Sequence, residues 1–552
     1  MGRVRLVSRS MRTMLAGALL LSGAALAQTP TSVGPIDPNA IKEDVRTLSS
    51  DAFQGRGPGQ RGETMTLAYL RAQFEAAGLQ PGGPNGSWFQ DVPLIRMDHR
   101  ERSLALSVGG TALPLQQTRD FSVTGSHAGT ASVTDAPLVF VGFGIHAPEL
   151  GWDDYVGLDL RGKVAVMLPN DPDFDQPTGP FGGYARSRYA SGKAAAAYAA
   201  GAVGVITIHR QALTSWPWQQ IYNSDPDPTY RRAETQPPAG NTRLSAYITG
   251  ETAAALFSRA GLDLEAMIRR AQQRGFRAVP LPGATLTASV TVTETPVTSH
   301  NVVARLEGTS RAGETVLMGA HWDGYGIGVA DAAGDTIRNA AIDNGIGTAT
   351  LLELARAFAR APRTQRSLIF VAYTAEEKGL LGAYEYAAHP ARPLATTAAV
   401  FNIDPHLALS QTRSVELIGA GRTTLEADLT RLAAAQARTI EAEADPSAGW
   451  YGRSDHYAFA VAGVPTVYFR AGRDLVVGGR AEGVRQVGLY NSQCYHQRCD
   501  QFQEAWDMAA AAQDGALVYA MARELADSGR WPAWNAGSEF SAVRERSAAE
   551  RR

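Results

Sequence analysis

The chain has 552 residues, 44% of them hydrophobic and 19% charged, with a formal net charge of −2. That length allows more than one domain and a large core, and the composition is that of a globular chain rather than a disordered or fibrous one. The near-neutral charge carries no electrostatic footprint for nucleic acid.

The chain opens on a processing signal. Arg3, Arg5, Arg9 and Arg12 precede an apolar stretch over residues 14–25, and Ala25-Leu26-Ala27 has the small-x-small form of a cleavage site. Cleavage before Gln28 is expected; a membrane anchor is the alternative, but the stretch is too short to span a bilayer. Losing four arginines takes the net charge from −2 to −6. No Cys follows the stretch, so lipid anchoring is not expected. No later stretch approaches the ~20 apolar residues of a membrane helix. The product is expected in the periplasm or outside the cell, soluble, with no membrane or nucleic-acid partner; its oligomeric state is not legible.

Residues 28–38 read as a linker. Residues 41–79 read as two helices around Gln54-Gly-Arg-Gly-Pro-Gly, with Leu67, Leu70, Phe74 and Ala77 at helical spacing and Gly78 as the stop. Over 104–295 short β-like runs are broken by Gly, Pro and Asp, with one helix at 189–200, which predicts an inserted β-rich region. After Thr298, strand-like and helical runs alternate: 316–320, 348–360, 368–374, 398–403, 425–436, 464–469 and 505–527. That pattern predicts an α/β fold, a mixed central sheet flanked by helices, built from 39–103 and 296–532. Residues 533–552, rich in Ser, Ala, Glu and Arg, predict a disordered tail.

Three apolar runs end in residues that ligate metals. One ends at His321, one at Glu376-Glu377 and one at Asp404. In open α/β sheets, ligands sit beyond the carboxyl ends of strands. Asp323 stands two residues past His321, where an acid can fix the imidazole tautomer. Asp343, in Asp343-Asn-Gly-Ile-Gly, precedes a helix and reads either as an N-cap or as a ligand; Gly345 and Gly347 would let main chain approach an ion. Consecutive residues of extended chain point apart, so Glu376 and Glu377 should do different jobs, one binding metal and one facing water as a general base. His496 is bracketed by Cys494 and Cys499, the only two cysteines. In an exported chain that pair reads as a disulfide, with two free thiols as the alternative. His456 is the competing imidazole.

Taken together, the motifs resemble a di-zinc exopeptidase family that includes aminopeptidase Y, bacterial leucyl aminopeptidase and glutamate carboxypeptidase II. The segments that carry the resemblance occur in order: His321-Trp-Asp323, Asp343-Asn-Gly-Ile-Gly, Ala375-Glu-Glu-Lys-Gly-Leu-Leu-Gly382, Asn402-Ile-Asp404, Ser454-Asp-His-Tyr-Ala-Phe459 and Tyr495-His-Gln-Arg-Cys-Asp500. Ser50-Asp-Ala-Phe-Gln-Gly-Arg-Gly-Pro-Gly belongs with them, and the inserted region, with Gly201-Ala-Val-Gly-Val-Ile, is similar to a protease-associated domain. The resemblance implies two zinc ions: His321 and Asp404 on one, Glu377 and His496 on the other, Asp343 on both. It further implies Glu376 as general base and acid, Asp323 orienting His321, and Tyr495 donating to an oxyanion. Arg453, Ser454, Asp455 and His456 would line the substrate side. The implied activity is removal of N-terminal residues from peptides by a metal-bridged hydroxide. The alternatives are a carboxypeptidase using Arg453 and Arg470, a glutaminyl-cyclase-like acyltransferase, and a non-catalytic binding protein. The chain departs from the family's pattern at Pro405-His406, at Cys499 and in the Gly/Asp-rich loop 324–338.

Overall fold

The runs that read as strands pair into one sheet of 16 strands in the computed structural model. The structure describes residue 2 and residues 35–551, apart from 175–178, 180, 182–188, 190–191, 215–216, 219–220, 222–226, 236–241, 332 and 405–409. Apart from residue 2, the leader at 1–27 therefore lies outside the described residues, as do Pro405 and His406. The strands are β1 (Phe89–Val108), β2 (Phe121–Gly125), β3 (Gly129–Phe140), β4 (Val164–Met167), β5 (Gly204–His209), β6 (Thr229–Arg232), β7 (Leu244–Thr249), β8 (Val279–Leu306), β9 (Arg311–His321), β10 (Arg366–Tyr373), β11 (Thr397–Asn402), β12 (Ser414–Ile418), β13 (Thr439–Ala442) and β14 (Thr466–Ala471), with two-residue strands at Gln80–Pro81 and Thr111–Ala112. The order across the sheet is β13-β12-β14-β11-β9-β10-β8-β3-β4-β5-β7-β2.

At the centre, β9 runs parallel to both of its neighbours, β10 and β11. Strands buried on both faces read as unbroken apolar runs, and every residue of β10 and β11 is buried. The side chains still alternate. Val316, Met318, Phe370 and Phe401 face one core, which also contains residues of helices α1 (Pro38–Leu48), α4 (Gly347–Arg360) and α5 (Ala509–Ala526). Leu317, Ile369, Val371 and Val400 face the other, with Tyr386 and Phe459. Burying each such side chain stabilises by about 1.5–3 kcal/mol, so the strand ends that carry the site stand on a core buried from both faces. Helix α1 begins where Asp37 accepts the Asn39 N–H and Pro38 takes the first turn. Helix α2 (Arg61–Ala76) follows the expected turn.

The far half of the sheet contains a second parallel run, β3-β4-β5-β7, with its own core around Phe140, Val166, Ile206 and Phe257. Strand β8 serves both halves. Its residues 302–306 pair with β10 and its residues 279–292 pair with β3.

The carboxyl terminus corrects the sequence reading. Residues 533–551 are packed rather than disordered, because two aromatic residues in that polar stretch find a cluster to join. Trp534 and Phe540 are buried with Tyr451 and Tyr468, and the Arg544 guanidinium donates to the carbonyls of Leu394 and Thr397. No helix among the described residues is long and apolar enough to cross a membrane.

Candidate metal centre

Strands β11, β9 and β10 are adjacent and parallel, so their carboxyl ends open on one edge. That edge collects His321, then Glu376 and Glu377 past β10, then Asp404 past β11. A fourth segment, Ala341–Ile346, brings Asp343 in ahead of α4. The helix-capping role goes to its neighbour. Asn344 Oδ1 accepts the Gly347 N–H at 3.0 Å while its Nδ2 donates to Ile403 O. Asp343 is thereby released from capping. Gly347 permits this packing: a Cβ there would stand 2.1 Å from Asn344 Oδ1 and 2.4 Å from Ile403 O.

Asp343 lies between two imidazoles. Its Oδ1 is 3.3 Å from His321 Nε2 and its Oδ2 is 3.1 Å from His496 Nε2. His496 Nε2 also stands 3.2 Å from Glu377 Oε2. His321 Nε2 stands 3.8 Å from Asp404 Oδ1 and 3.9 Å from Glu376 Oε2. The donors thus fall into two groups, His321 with Glu376 and Asp404, and Asp343 with Glu377 and His496; within each, the donor atoms lie within 4.8 Å of one another. The consecutive acids go to different groups, but through a turn past β10, in which Glu376 O accepts the N–H groups of Gly379 and Leu380, rather than through extended chain.

The electrostatics call for cations. Burial pushes the carboxyls of Glu376 and Glu377 well above the usual range, with Asp343 adding to the effect at Glu377. Burial opposes charge on His321 too, but Glu376, Asp323, Asp343 and Asp404 raise it well above the ordinary imidazole value. The Asp343 carboxyl is buried yet held below the usual range by His321 and His496. His321 Nε2 is buried with no hydrogen-bond partner. An orphaned imidazole nitrogen among acids that repel one another is a donor set that fits zinc, which takes His nitrogen and carboxylate oxygen together.

The supporting contacts fix these donors. His321 Nδ1 lies 3.2 Å from the Asp323 main-chain oxygen. The Asp323 carboxylate accepts the N–H groups of Glu376 and Glu377. Ser454 Oγ donates to Asp404 Oδ2 at 2.5 Å, and Tyr468 Oη donates to Asp404 O. His496 Nδ1 lies 3.1 Å from Tyr325 Oη; for Nε2 to ligate, Nδ1 must carry the proton and donate it to that oxygen. Arg453 Nη2 donates to Tyr495 Oη at 3.2 Å. Cys494 and Cys499 are bonded and flank Tyr495 and His496.

Two sequence readings need correction. Ser454, Asp455 and His456 are 1%, 0% and 0% exposed, so they cannot line a substrate surface. Ser454 holds Asp404 from behind, and His456 is wedged between the rings of Tyr451 and Tyr468. Of the two arginines a carboxylate pocket would use, Arg470 is buried and paired with Glu416 at 2.8 Å, leaving Arg453.

Three residues went unassigned in the sequence. The Asp500 carboxylate accepts the N–H of Ile342 at 2.8 Å and of Asp343 at 3.1 Å. Arg56 is fully buried and donates to the carbonyls of Leu48, Trp322, Asn339 and Ala340. Tyr325 backs His496, with Lys378 Nζ 4.1 Å over its ring. Arg56 and Asp500 stand in motifs quoted above; Tyr325 had no such signal.

Residues 301–520 match peptidase family M28. A probable zinc metalloprotease of Pyrenophora teres f. teres is 36% identical over 109 residues, 20% of this chain and 23% of that protein. Leupeptin-inactivating enzyme 1 of Streptomyces exfoliatus is 28% identical over 237 residues, 42% of this chain and 50% of that protein. The matches thus span a quarter to a half of these curated relatives. Among solved structures, the aminopeptidase from Aneurinibacillus sp. strain AM-1 shares the fold, with a TM-score of 0.55 at 19% identity over 90% of this chain and 95% of that one.

Proposed function

We propose that this chain, whose residues 301–520 match peptidase family M28, is an exported di-zinc exopeptidase that removes N-terminal residues from peptides. The observation that carries this reading is the shared carboxylate: one oxygen of Asp343 faces His321 and the other faces His496. His321 and Asp404 would hold one ion, Glu377 and His496 the other, and Asp343 both. Two divalent cations supply Lewis acidity and bring the pKa of water down toward ~7.

The remaining chemistry belongs to side chains of this protein. Burial keeps the Glu376 carboxyl a strong proton acceptor once ionised, so it takes the proton from the attacking water and returns it to the leaving amine. Tyr495 Oη, positioned by Arg453, donates to the oxyanion that forms; such a donor contributes about 2.7–4 kcal/mol to the transition state. Asp323 and Asp500 keep the ligand-bearing main chain in place. The processing signal at 1–27 supports export to the periplasm or beyond.

A panel of aminoacyl-arylamides beside N-blocked peptides, run on protein of measured zinc content, tests the reading. Cleavage of the free-amine substrates with two zinc ions per chain is the expected result. One ion with cyclase activity, or no ion and no turnover, would replace the proposal with an acyltransferase or a binding protein.

A further inference from the structure

The parallel run β3-β4-β5-β7 has a carboxyl edge of its own, and ligands favour such edges. The segment leaving β4 folds back across it. Asn170, at φ +61°, donates Nδ2 to Leu213 O just beyond β5 at 2.8 Å and accepts the Asp171 N–H at 3.1 Å. That turn drives Asp171 inward. Asp171 is 0% exposed, and Asp173 and Asp154 are 5% and 4% exposed.

The three acids are not equally served. Asp154 accepts from Ile145 N and Trp152 Nε1. Asp173 accepts the Phe181 N–H on Oδ2 at 3.0 Å. Neither oxygen of Asp171 meets a donor, nor does Oδ1 of Asp173. The Asp171 and Asp173 carboxyls lie within hydrogen-bonding reach of one another, so acceptor faces acceptor. Among the described residues one buried cation stands near, Lys193, the first residue of helix α3 (Lys193–Ala199), and its ammonium donates to Leu168 O at 2.8 Å. Set against three ionised carboxylates, one ammonium would leave two negative charges in the interior, and burial beside Asp173 pushes the Asp171 carboxyl up to about 8. Buried charges persist when they are paired or coordinate a metal.

We propose that Asp171 and Asp173 are the carboxylate ligands of a calcium-class divalent cation at the carboxyl edge of β4, on the opposite half of the sheet from Asp343. A divalent ion cancels the residual charge, and an all-oxygen donor set selects a hard cation over zinc. The ion would fasten the β4 and β5 loops that Asn170 already links.

The test uses the full-length, zinc-loaded protein in chelator-resin-treated buffer. Calcium is added through about 1 mM, the range of extracellular calcium modules, while thermal unfolding and bound calcium are followed. Terbium luminescence sensitised by Trp152, whose indole is bonded to Asp154, gives a second readout. One calcium per chain and a saturable rise in Tm are expected. Asp171→Asn and Asp173→Asn should each weaken binding at least tenfold, with arylamide turnover unchanged, while Asp343→Asn should leave the calcium response intact. The parent protein decides the matter even if Asp171→Asn fails to fold. No calcium binding, or a Tm that follows pH but ignores calcium, overturns the proposal and assigns the pair a shared proton. So does an undiminished response in both asparagine variants.

Discussion

Asp323 holds Glu376 by the main chain: its Oδ1 accepts the Glu376 N–H at 3.0 Å. The same oxygen stands 3.6 Å from His321 Nδ1, and Oδ2 accepts the Glu377 N–H at 3.4 Å. One buried carboxylate therefore sets the spacing between the ends of two neighbouring strands. Asp323→Ala should lower zinc affinity and kcat/KM together, by about 10–100-fold. Competition against a chromogenic chelator and steady-state kinetics measure the two; an unchanged zinc affinity would separate Asp323 from the metal donors.

Glu376→Gln should retain both ions and nearly abolish hydrolysis, with kcat down by about 10²–10⁴-fold. Glu377→Ala, at the next residue, should instead lose zinc. Elemental analysis beside kinetics distinguishes them. Turnover retained in the glutamine variant would take the proton-carrying role away from Glu376.

Arg56 closes the ligand-bearing loop onto the sheet through four carbonyls, among them Trp322 O and Ala340 O. Arg56→Ala strands these acceptors in the interior, where each unsatisfied group costs about 1–3 kcal/mol. A loss of at least about 3 kcal/mol in urea unfolding is expected, together with faster zinc release. Arg56→Lys should recover only part of it, because a lysine lacks the planar fork that reaches several acceptors at once.

Glu443 gives a pH signature away from the metal centre. Burial pushes its carboxyl up to about 7, against the bond it accepts from Gly419 N, while an unfolded chain releases that proton near ~4.3. Between these values the folded state holds a proton that the unfolded state has lost, so stability falls as pH rises through the window and stays lower above it. Glu443→Gln should be more stable than the parent at about pH 8, by on the order of 2 kcal/mol. The gap should close below about pH 4. Denaturant midpoints across that range measure it, and a pH-independent gap would mean the carboxyl does not titrate there.

What was legible in the sequence follows from what leaves a pattern. The apolar runs ending at His321 and at Glu376-Glu377 announced buried strands with costly polar ends, and both lie on the shared edge of β9 and β10. Asp343 was ambiguous between cap and ligand, and the structure resolves it by giving the cap to Asn344. Arg56 and Asp500 bond to main-chain atoms 266 and 157 positions away in sequence, and main-chain partners leave no residue-type signature. His456 shows the opposite failure. A recognisable motif located it, but only the packing of Tyr451 and Tyr468 shows that it faces inward. The polar tail misled because two large rings, Trp534 and Phe540, outweigh a disordered composition.

Strand β8 is 28 residues long and is hydrogen-bonded to both halves of the sheet. The halves are therefore joined by a continuous ribbon instead of a loose tether, and their relative movement has the character of a bent spring rather than a swinging door. A load on the distant half travels along that ribbon to Ala372, paired with Val302, four residues before Glu376.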